Sequence, residues 1–225
     1  MKFRIFIALI LTVSAAGAQD KSKIYTTTSG ELIFSFANIN YDGNEAGSIM
    51  RFSPVFNFQN WVNIDKSESF GYFTGLSIRN VGFIYDVPNT TTRKKYRTYS
   101  LGIPFGVKIG NLSNKFLFAG YELELPFNFK EKTFVDEVKE SKKSIWFSNQ
   151  VKTFSHSLMV GVQLPYGATL KFKYYLSNFF NKDYQASDGQ GGTYKPYANA
   201  DYNVFYFSLS FGLLKNVDFY YDNRN

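Results

Sequence analysis

Between Phe116 and Phe129 apolar and polar positions take turns along the chain. Leu117, Ala119, Tyr121, Leu123, Leu125, Phe127 and Phe129 fall on one side, and Phe118, Gly120, Glu122, Glu124 and Asn128 on the other. Successive side chains of a strand point to opposite faces, so this spacing predicts a strand with one wholly apolar face. About fourteen residues at roughly 3.3 Å each outrun a usual globular strand and, once tilted, match the hydrocarbon core of a bilayer. The pattern therefore predicts a strand that crosses a membrane.

Seven further segments repeat at period two. The first runs near Glu31 to Ile39, and its pattern leaves the facing open. The second, Ile49 to Asn60, sets Met50, Phe52, Pro54, Phe56 and Phe58 against Arg51, Ser53, Asn57 and Gln59, with Val55 as the exception. In the third, Phe70 to Phe83, Phe70, Tyr72, Leu76 and Ile78 oppose Gly71, Gly75, Ser77 and Arg79. The fourth, Arg97 to Ile109, sets Tyr99, Leu101, Ile103, Phe105 and Val107 against Thr98, Ser100, Gly102, Gly106 and Lys108. After the Phe116 to Phe129 segment, the sixth is Val151 to Leu164, with Phe154, His156, Leu158, Val160 and Val162 on the apolar side. The seventh, Ala168 to Phe179, places Lys171 and Lys173 opposite Leu170, Phe172 and Tyr174, and the eighth, Tyr202 to Leu213, carries Phe205, Phe207, Leu209 and Phe211.

The connections are unequal. Gly110 to Lys115 and Pro165 to Gly167 are tight, whereas Tyr85 to Tyr96, Lys130 to Gln150 and Asn181 to Asp201 are long and polar. Short turns at one end and long loops at the other fit an outer-membrane barrel. Trp61 to Ser69 and Tyr41 to Ser48 depart from that rule. A soluble barrel would also alternate, but its wetted face would be rich in Lys, Glu and Thr. Here the polar face is mostly Gly, Ser and Thr with scattered charges, which suits the narrow interior of an eight-stranded barrel. The fold expected is all-β, an eight-stranded antiparallel up-and-down transmembrane barrel with a filled lumen.

The N-terminus sharpens the address: Lys2 and Arg4 precede an apolar run from Ile5 to Val13 and the small residues Ala16-Gly17-Ala18. This is the form of a cleavable secretory signal. No cysteine follows, which excludes a lipid anchor, disulfides and thiolate metal sites. No later stretch approaches eighteen apolar residues, so no transmembrane helix is predicted. Aromatic residues make up 20% of the chain, 25 Phe and 17 Tyr, a composition that favours strands. Removing Lys2 and Arg4 from 25 basic residues leaves 23 against 18 acids, a mature net charge of +5. So modest an excess, placed in loops, suits anionic lipid headgroups better than a nucleic acid. The divisions expected are a signal peptide over 1–18, a barrel over 19–213 and a periplasmic tail over 214–225.

On the lumen side Glu122 and Glu124 fall near mid-depth, and Arg51, Arg79, Lys171 and Lys173 share that side on other strands. Buried carboxylates need cationic partners, so an ionic network among these six residues is predicted, acting as a structural plug rather than a gate. Trp61 and Trp146 are assigned to the interfacial aromatic girdles. The single histidine, His156, has Phe154 and Leu158 as its neighbours on the apolar side, with Ser155 and Ser157 on the opposite face. A nucleophile and its base would have to share a face, so no catalytic pairing is assigned. Gly189-Gln190-Gly191-Gly192 lacks the Lys-Ser/Thr and helix of a phosphate loop and reads as a loop tip. Arg93-Lys94-Lys95 with Arg97, and the mixed run Lys130 to Lys143, lie at the outer rim, where lipopolysaccharide phosphates would be neighbours; the acids of the second run nearly cancel its bases, so plain solvation is the reading assigned to it.

Leu101-Gly102-Ile103-Pro104-Phe105-Gly106-Val107-Lys108, Phe116 to Glu124 after a short turn, and Leu164-Pro165-Tyr166-Gly167 together resemble the small outer-membrane β-barrel proteins of the PorT-like kind. The resemblance covers most of the mature chain and implies an integral outer-membrane component whose name-giving members assist protein secretion. It carries over no catalytic residue, cofactor or metal. The function expected is a non-enzymatic outer-membrane protein with an envelope or secretion-accessory role. Its partners would be outer-membrane lipids, lipopolysaccharide and secretion or envelope proteins, with no nucleic acid. The alternatives are a lipid-modifying outer-membrane enzyme and a soluble barrel that binds a small ligand.

Overall fold

The computed structural model describes residues 22–41, 44–213 and 217–219; the signal region lies outside them. Eight strands follow the period-two segments: β1 Lys23–Tyr41, β2 Phe58–Asp65, β3 Phe70–Asp86, β4 Thr92–Asn111, β5 Lys115–Val135, β6 Ser155–Gln163, β7 Thr169–Tyr175 and β8 Ala200–Gly212. Each pairs antiparallel with the next, and β8 returns to β1 with Leu32 opposite Leu209 and Phe34 opposite Phe207. The ring is therefore closed. Closure satisfies the backbone N–H and C=O groups that would be costly to leave unpaired in lipid.

One end carries tight turns. β2 and β3 are joined through 66–69, where the Lys66 and Ser67 amides donate to the Phe70 carbonyl at 3.0 and 3.1 Å. β6 and β7 are joined by the turn Pro165–Gly167, with Tyr166 and Gly167 at positive φ. The other end is taller. β3, β4 and β5 run past their neighbours, and an extra strand, Val138–Trp146, folds back on β5 from Val135 opposite Val138 to Asn128 opposite Trp146. The segments expected as loops over 85–96 and 130–150 are thus largely hairpin ladder. The connection between β7 and β8 holds a small hairpin, Ala186–Ser187 with Thr193–Tyr194. Its tip is tied by Asp188, whose carboxylate accepts from the Gln190 and Gly192 amides, both at 2.8 Å.

The second predicted strand is broken. Ser48–Ile49 pairs with β3, Arg51–Ser53 with β1, and the ladder resumes only at Phe58. Pro54 lacks an N–H to donate and Phe56 adopts a φ of 60°, which together expel the backbone from the ladder. Asn57 stitches the gap: its Nδ2 donates to the Ser53 carbonyl at 2.8 Å and its Oδ1 accepts from the Asn80 amide at 2.8 Å. The strand then runs to Asp65, so the turn expected over 61–69 contracts to its last four residues. Within 214–225, expected to form a tail, Val217–Phe219 pairs antiparallel with Ile24–Thr26 and extends the ladder along β1.

The outward face is apolar and open. Leu76, Leu101, Ile103, Phe105, Leu117, Val160 and Phe207 are all exposed. A predominantly apolar band of this kind around a closed ring has lipid as its solvent. The lumen is filled in layers. Trp61, Phe73, Phe116, Phe118, Leu112 and Met159 form an apolar layer near the tight turns, and a larger one around Phe83, Tyr96, Phe129, Phe180 and Tyr202 caps the loop end. Between the two lie charged side chains.

Candidate functional site

Alternation brings charged residues from four strands, β1, β3, β5 and β7, to one level of the lumen. Arg79 on β3 is the hub. Its guanidinium contacts Glu122, reaches Glu31 through Nε at 3.1 Å, lies 3.7 Å from Glu124, and donates to Gln59 Oε1 at 3.1 Å and Ser77 Oγ at 2.6 Å. Lys173 joins Glu122 at 2.6 Å and contacts Glu124, while Lys171 meets Glu31 at 2.7 Å and Gln59 at 3.1 Å. Ser77 also donates to Glu122, Ser208 to Glu31 at 2.5 Å, and Tyr175 to Glu124 at 2.9 Å. Three cations face three carboxylates, all essentially sealed from solvent. Isolated, each charge would cost several kcal/mol in so dry a setting; paired and hydrogen-bonded on most sides, the group is tolerable. Gly102 makes room for it, since a Cβ there would lie 2.4 Å from both Glu122 Oε1 and Ser77 Oγ.

Five of the six predicted lumen charges meet in this layer: Arg79, Glu122, Glu124, Lys171 and Lys173. Arg51 does not. The break in the second strand leaves it nearer the loop end, where it donates to the Asn80 carbonyl at 3.1 Å and to Asn80 Oδ1 at 2.6 Å. Glu31 takes its place; the pattern had left the facing of its strand open, and its even-numbered neighbours Leu32, Phe34 and Phe36 point outward beside a buried Ile33 and Ser35. A second ion pair sits toward the tight turns, where Lys108 donates to Asp65 at 2.5 Å, Asn63 at 3.0 Å and the Tyr25 hydroxyl at 3.2 Å.

Trp61 is not an interfacial residue. It shares the parity of Gln59 and Asn63 in a strand that continues to Asp65, so it points into the lumen, stacks on Phe73 at 4.3 Å and meets Phe118 edge-on at 5.2 Å. Trp146 is exposed at the loop end, stacked on Phe127 at 5.8 Å. Phe129, expected outside, is buried: Ser100 pairs with Pro126 and Tyr99 with Asn128, so Phe127 is an extra residue and the alternation inverts beyond it. His156 lies on the outward face, its Nδ1 2.9 Å from the Tyr121 hydroxyl; Ser155 and Ser157 are buried on the other side.

Above the upper apolar layer the loops enclose a cup of about 750 Å³. Tyr85, Tyr96, Tyr184, Tyr194, Tyr197 and Tyr202 line it, with Lys94, Lys143, Lys195 and Glu131 among them. Tyr197 lies flat on Phe180 at 4.1 Å and forms part of its floor, its phenol pKa raised by burial and then by the Glu131 carboxylate. Gln150 donates to the Tyr184 hydroxyl at 3.1 Å, while its buried Oε1 has no hydrogen-bond partner among the described residues.

No family model matches the chain, and no curated protein does. Among solved structures it is similar to Ail, the attachment invasion locus protein of Yersinia pestis, in complex with the heparin analogue sucrose octasulfate, at 10% identity over 85% of this chain and 99% of that one, with a TM-score of 0.39. It is likewise similar to the Neisserial surface protein A, at 10% identity over 84% and 97% with a TM-score of 0.38. The outer membrane protein OprG from Pseudomonas aeruginosa matches at 10% over 87% and 98%, with a TM-score of 0.35. At such values the architecture rests on the strand pairings themselves. Eight antiparallel strands closed on each other, an apolar outer band, tight turns at one end and tall hairpins at the other make this a small outer-membrane β-barrel.

Proposed function

We propose that the protein is a non-enzymatic integral outer-membrane component, closed to solute flow, that acts by contact at the outer surface in an envelope or secretion-accessory role. The observation that carries this reading is the lumen: among the described residues a balanced ionic layer, its side chains sealed from solvent, lies between two apolar clusters. What remains for interaction is the loop end, with its tyrosine-lined cup, and the lipid around the belt. The non-enzymatic part is supported by His156, whose ring is hydrogen-bonded to a phenol rather than to a serine. The accessory part rests on the PorT-like resemblance of Leu101 to Lys108, Phe116 to Glu124 and Leu164 to Gly167.

Planar-bilayer recording with the mature protein tests closure: a silent bilayer is expected, and discrete conductance steps would contradict it. Crosslinking in native outer membranes followed by mass spectrometry tests the accessory role, which predicts envelope proteins joined through residues of the loop end. Lipid A profiles with and without the protein should be the same; a lost acyl chain or a new substituent would favour a lipid-modifying enzyme instead.

A further inference from the structure

The hairpins β4, β5 and Val138–Trp146 carry a row of like charges on their outward side. Lys95 stands directly opposite Lys132, and Lys132 directly opposite Lys142. One step closer to the barrel, Arg97 stands opposite Lys130. Like charges facing each other across a ladder repel, so such a row is disfavoured unless something outside neutralises it. Arg51, Lys95, Arg97, Lys130 and Lys132 surround a shallow recess of about 80 Å³ with no carboxylate in its lining. Of the acids nearby, Asp86 holds Arg93 at 2.7 Å and, with Asp136 and Glu137, lines a separate recess that Lys95 also borders, while Glu131, of opposite parity, faces the cup.

The height of this shelf is fixed by the rings beneath it. Phe56, Tyr99, Phe127 and Trp146 form a continuous chain of outward aromatic contacts at 5.9, 6.4 and 5.8 Å. Outward aromatics in a barrel mark the boundary between acyl chains and headgroups. Arg97 and Lys130 sit on the Tyr99 ring at 5.5 and 4.8 Å, one residue above that boundary, and Lys95 lies over Phe134 at 4.6 Å. Cationic groups on a lipid-facing wall, just past the girdle at the loop end, stand level with outer-leaflet headgroups.

We infer that this shelf binds the phosphorylated headgroup of an outer-leaflet glycolipid, with Lys95, Lys130 and Lys132 as its principal charges and Arg51 and Arg97 flanking them. The inference rests on the reading of the chain as an outer-membrane barrel. A lipid phosphate fits better than a soluble anion because two of the cations lining the recess, Arg97 and Lys130, rest on the girdle ring Tyr99, so acyl chains would lie along the apolar band below while the phosphate meets the lysines. Binding would weaken with salt, as for any partly exposed charge cluster.

The test uses the mature, folded protein in detergent micelles. Its binding to bisphosphorylated lipid A is compared with that of dephosphorylated lipid A by native mass spectrometry, with inorganic phosphate as a competitor. The variants are Lys95→Gln/Lys130→Gln/Lys132→Gln, the single Lys132→Gln, and Lys115→Gln at the tight-turn end as a control; heat-modifiable migration on gels confirms that each is folded. With each cation near a membrane surface worth about one unit of binding energy in kcal/mol, the triple variant should lose on the order of a hundredfold in affinity for the phosphorylated lipid. The single variant should lose severalfold and the control nothing. Equal binding of the two lipids, wild-type affinity in a folded triple or single variant, or displacement by inorganic phosphate at the lipid's own concentration would overturn the inference. A protein that conducts ions yet still discriminates the two lipids would refute the closed lumen and leave the shelf standing.

Discussion

Arg79 and Glu122, on β3 and β5, meet at the centre of the lumen with neither side chain exposed to solvent. They do not share a direct strand pairing, since β4 lies between them; Gly102 on β4 leaves the space, for a Cβ there would meet Glu122 Oε1 and Ser77 Oγ, the hydroxyl that also accepts from Arg79. The pair thereby links non-adjacent strands through the interior.

Arg79→Met should be among the most damaging single changes in the molecule. It leaves Glu31, Glu122 and Glu124 facing only Lys171 and Lys173, and removing one partner of a buried ion pair typically costs about 3–5 kcal/mol. Urea unfolding in lipid vesicles measures this. Arg79→Met/Glu122→Gln, which removes one charge of each sign, should recover part of the loss.

Leu123 and Phe207 test the outward face. Each points away from the lumen, and Leu123 lies opposite Ile103 in the ladder. Leu123→Arg or Phe207→Arg should lower folding stability in vesicles by about 2–4 kcal/mol if they lie near the bilayer midplane. Wild-type stability of both would place the belt elsewhere.

The two tryptophans should behave oppositely in fluorescence. Trp61 is sealed between Phe73 and Phe118, so a water-soluble quencher should leave it nearly untouched, whereas Trp146 is exposed at the loop end. Single-tryptophan variants, Trp146→Phe and Trp61→Phe, separate the two signals. Trp61→Ala, which opens a cavity in the lower apolar layer, should cost about 3–5 kcal/mol.

Lys132 gives a pH dependence of defined sign. Partial burial, then repulsion from Arg97, Lys142, Lys139 and Lys95, holds its ammonium below the usual 10.5. The folded state therefore binds fewer protons than the unfolded state between the depressed value and 10.5, and stability rises with pH through that window. Below the window the repulsion acts in full. Lys132→Gln should be neutral or slightly stabilising there, and its advantage over the wild type should fade as pH climbs to 10.5. A gap that widened with pH would contradict the row of lysines.

Much of this architecture was legible because a ladder repeats strictly: once Leu101 or Leu158 is seen to face out, every second residue follows until something interrupts the pairing. The ionic layer was legible for the same reason, since Arg79, Glu122 and Lys173 each fall on the lumen side of a strand with clear facing. What sequence reasoning missed lies where the repeat breaks or gives no contrast. Glu31 sits among Ile33 and Ala37 in a strand apolar on both faces, so its inward parity had no signature. Phe129 follows a bulge at Phe127, and the signal for it was the adjacent Pro126, which cannot donate to the ladder. Trp61 had a usable signal, the unbroken odd-numbered series Gln59, Trp61, Asn63, which extends the strand beyond Asn60. The outer strand Val138–Trp146 is charged on its exposed surface and resembles a loop in composition, and only its pairing with β5 makes it a strand.

The chain contains no cysteine, so a single introduced thiol reports its own surroundings without interference. Ser157→Cys and Ser210→Cys place a near-isosteric thiol in the lumen, and Leu117→Cys and Leu123→Cys place one on the outer band. In the protein folded into vesicles, the two lumen thiols should stay unreactive to a water-soluble maleimide until the barrel is unfolded. A spin label on the two outer thiols should show high collision rates with oxygen and low rates with a polar nickel reagent, the signature of acyl chains. Fast maleimide labelling at Ser157 and Ser210, with the outer positions shielded from oxygen, would mean that the faces are reversed and that the barrel is neither filled nor in the membrane.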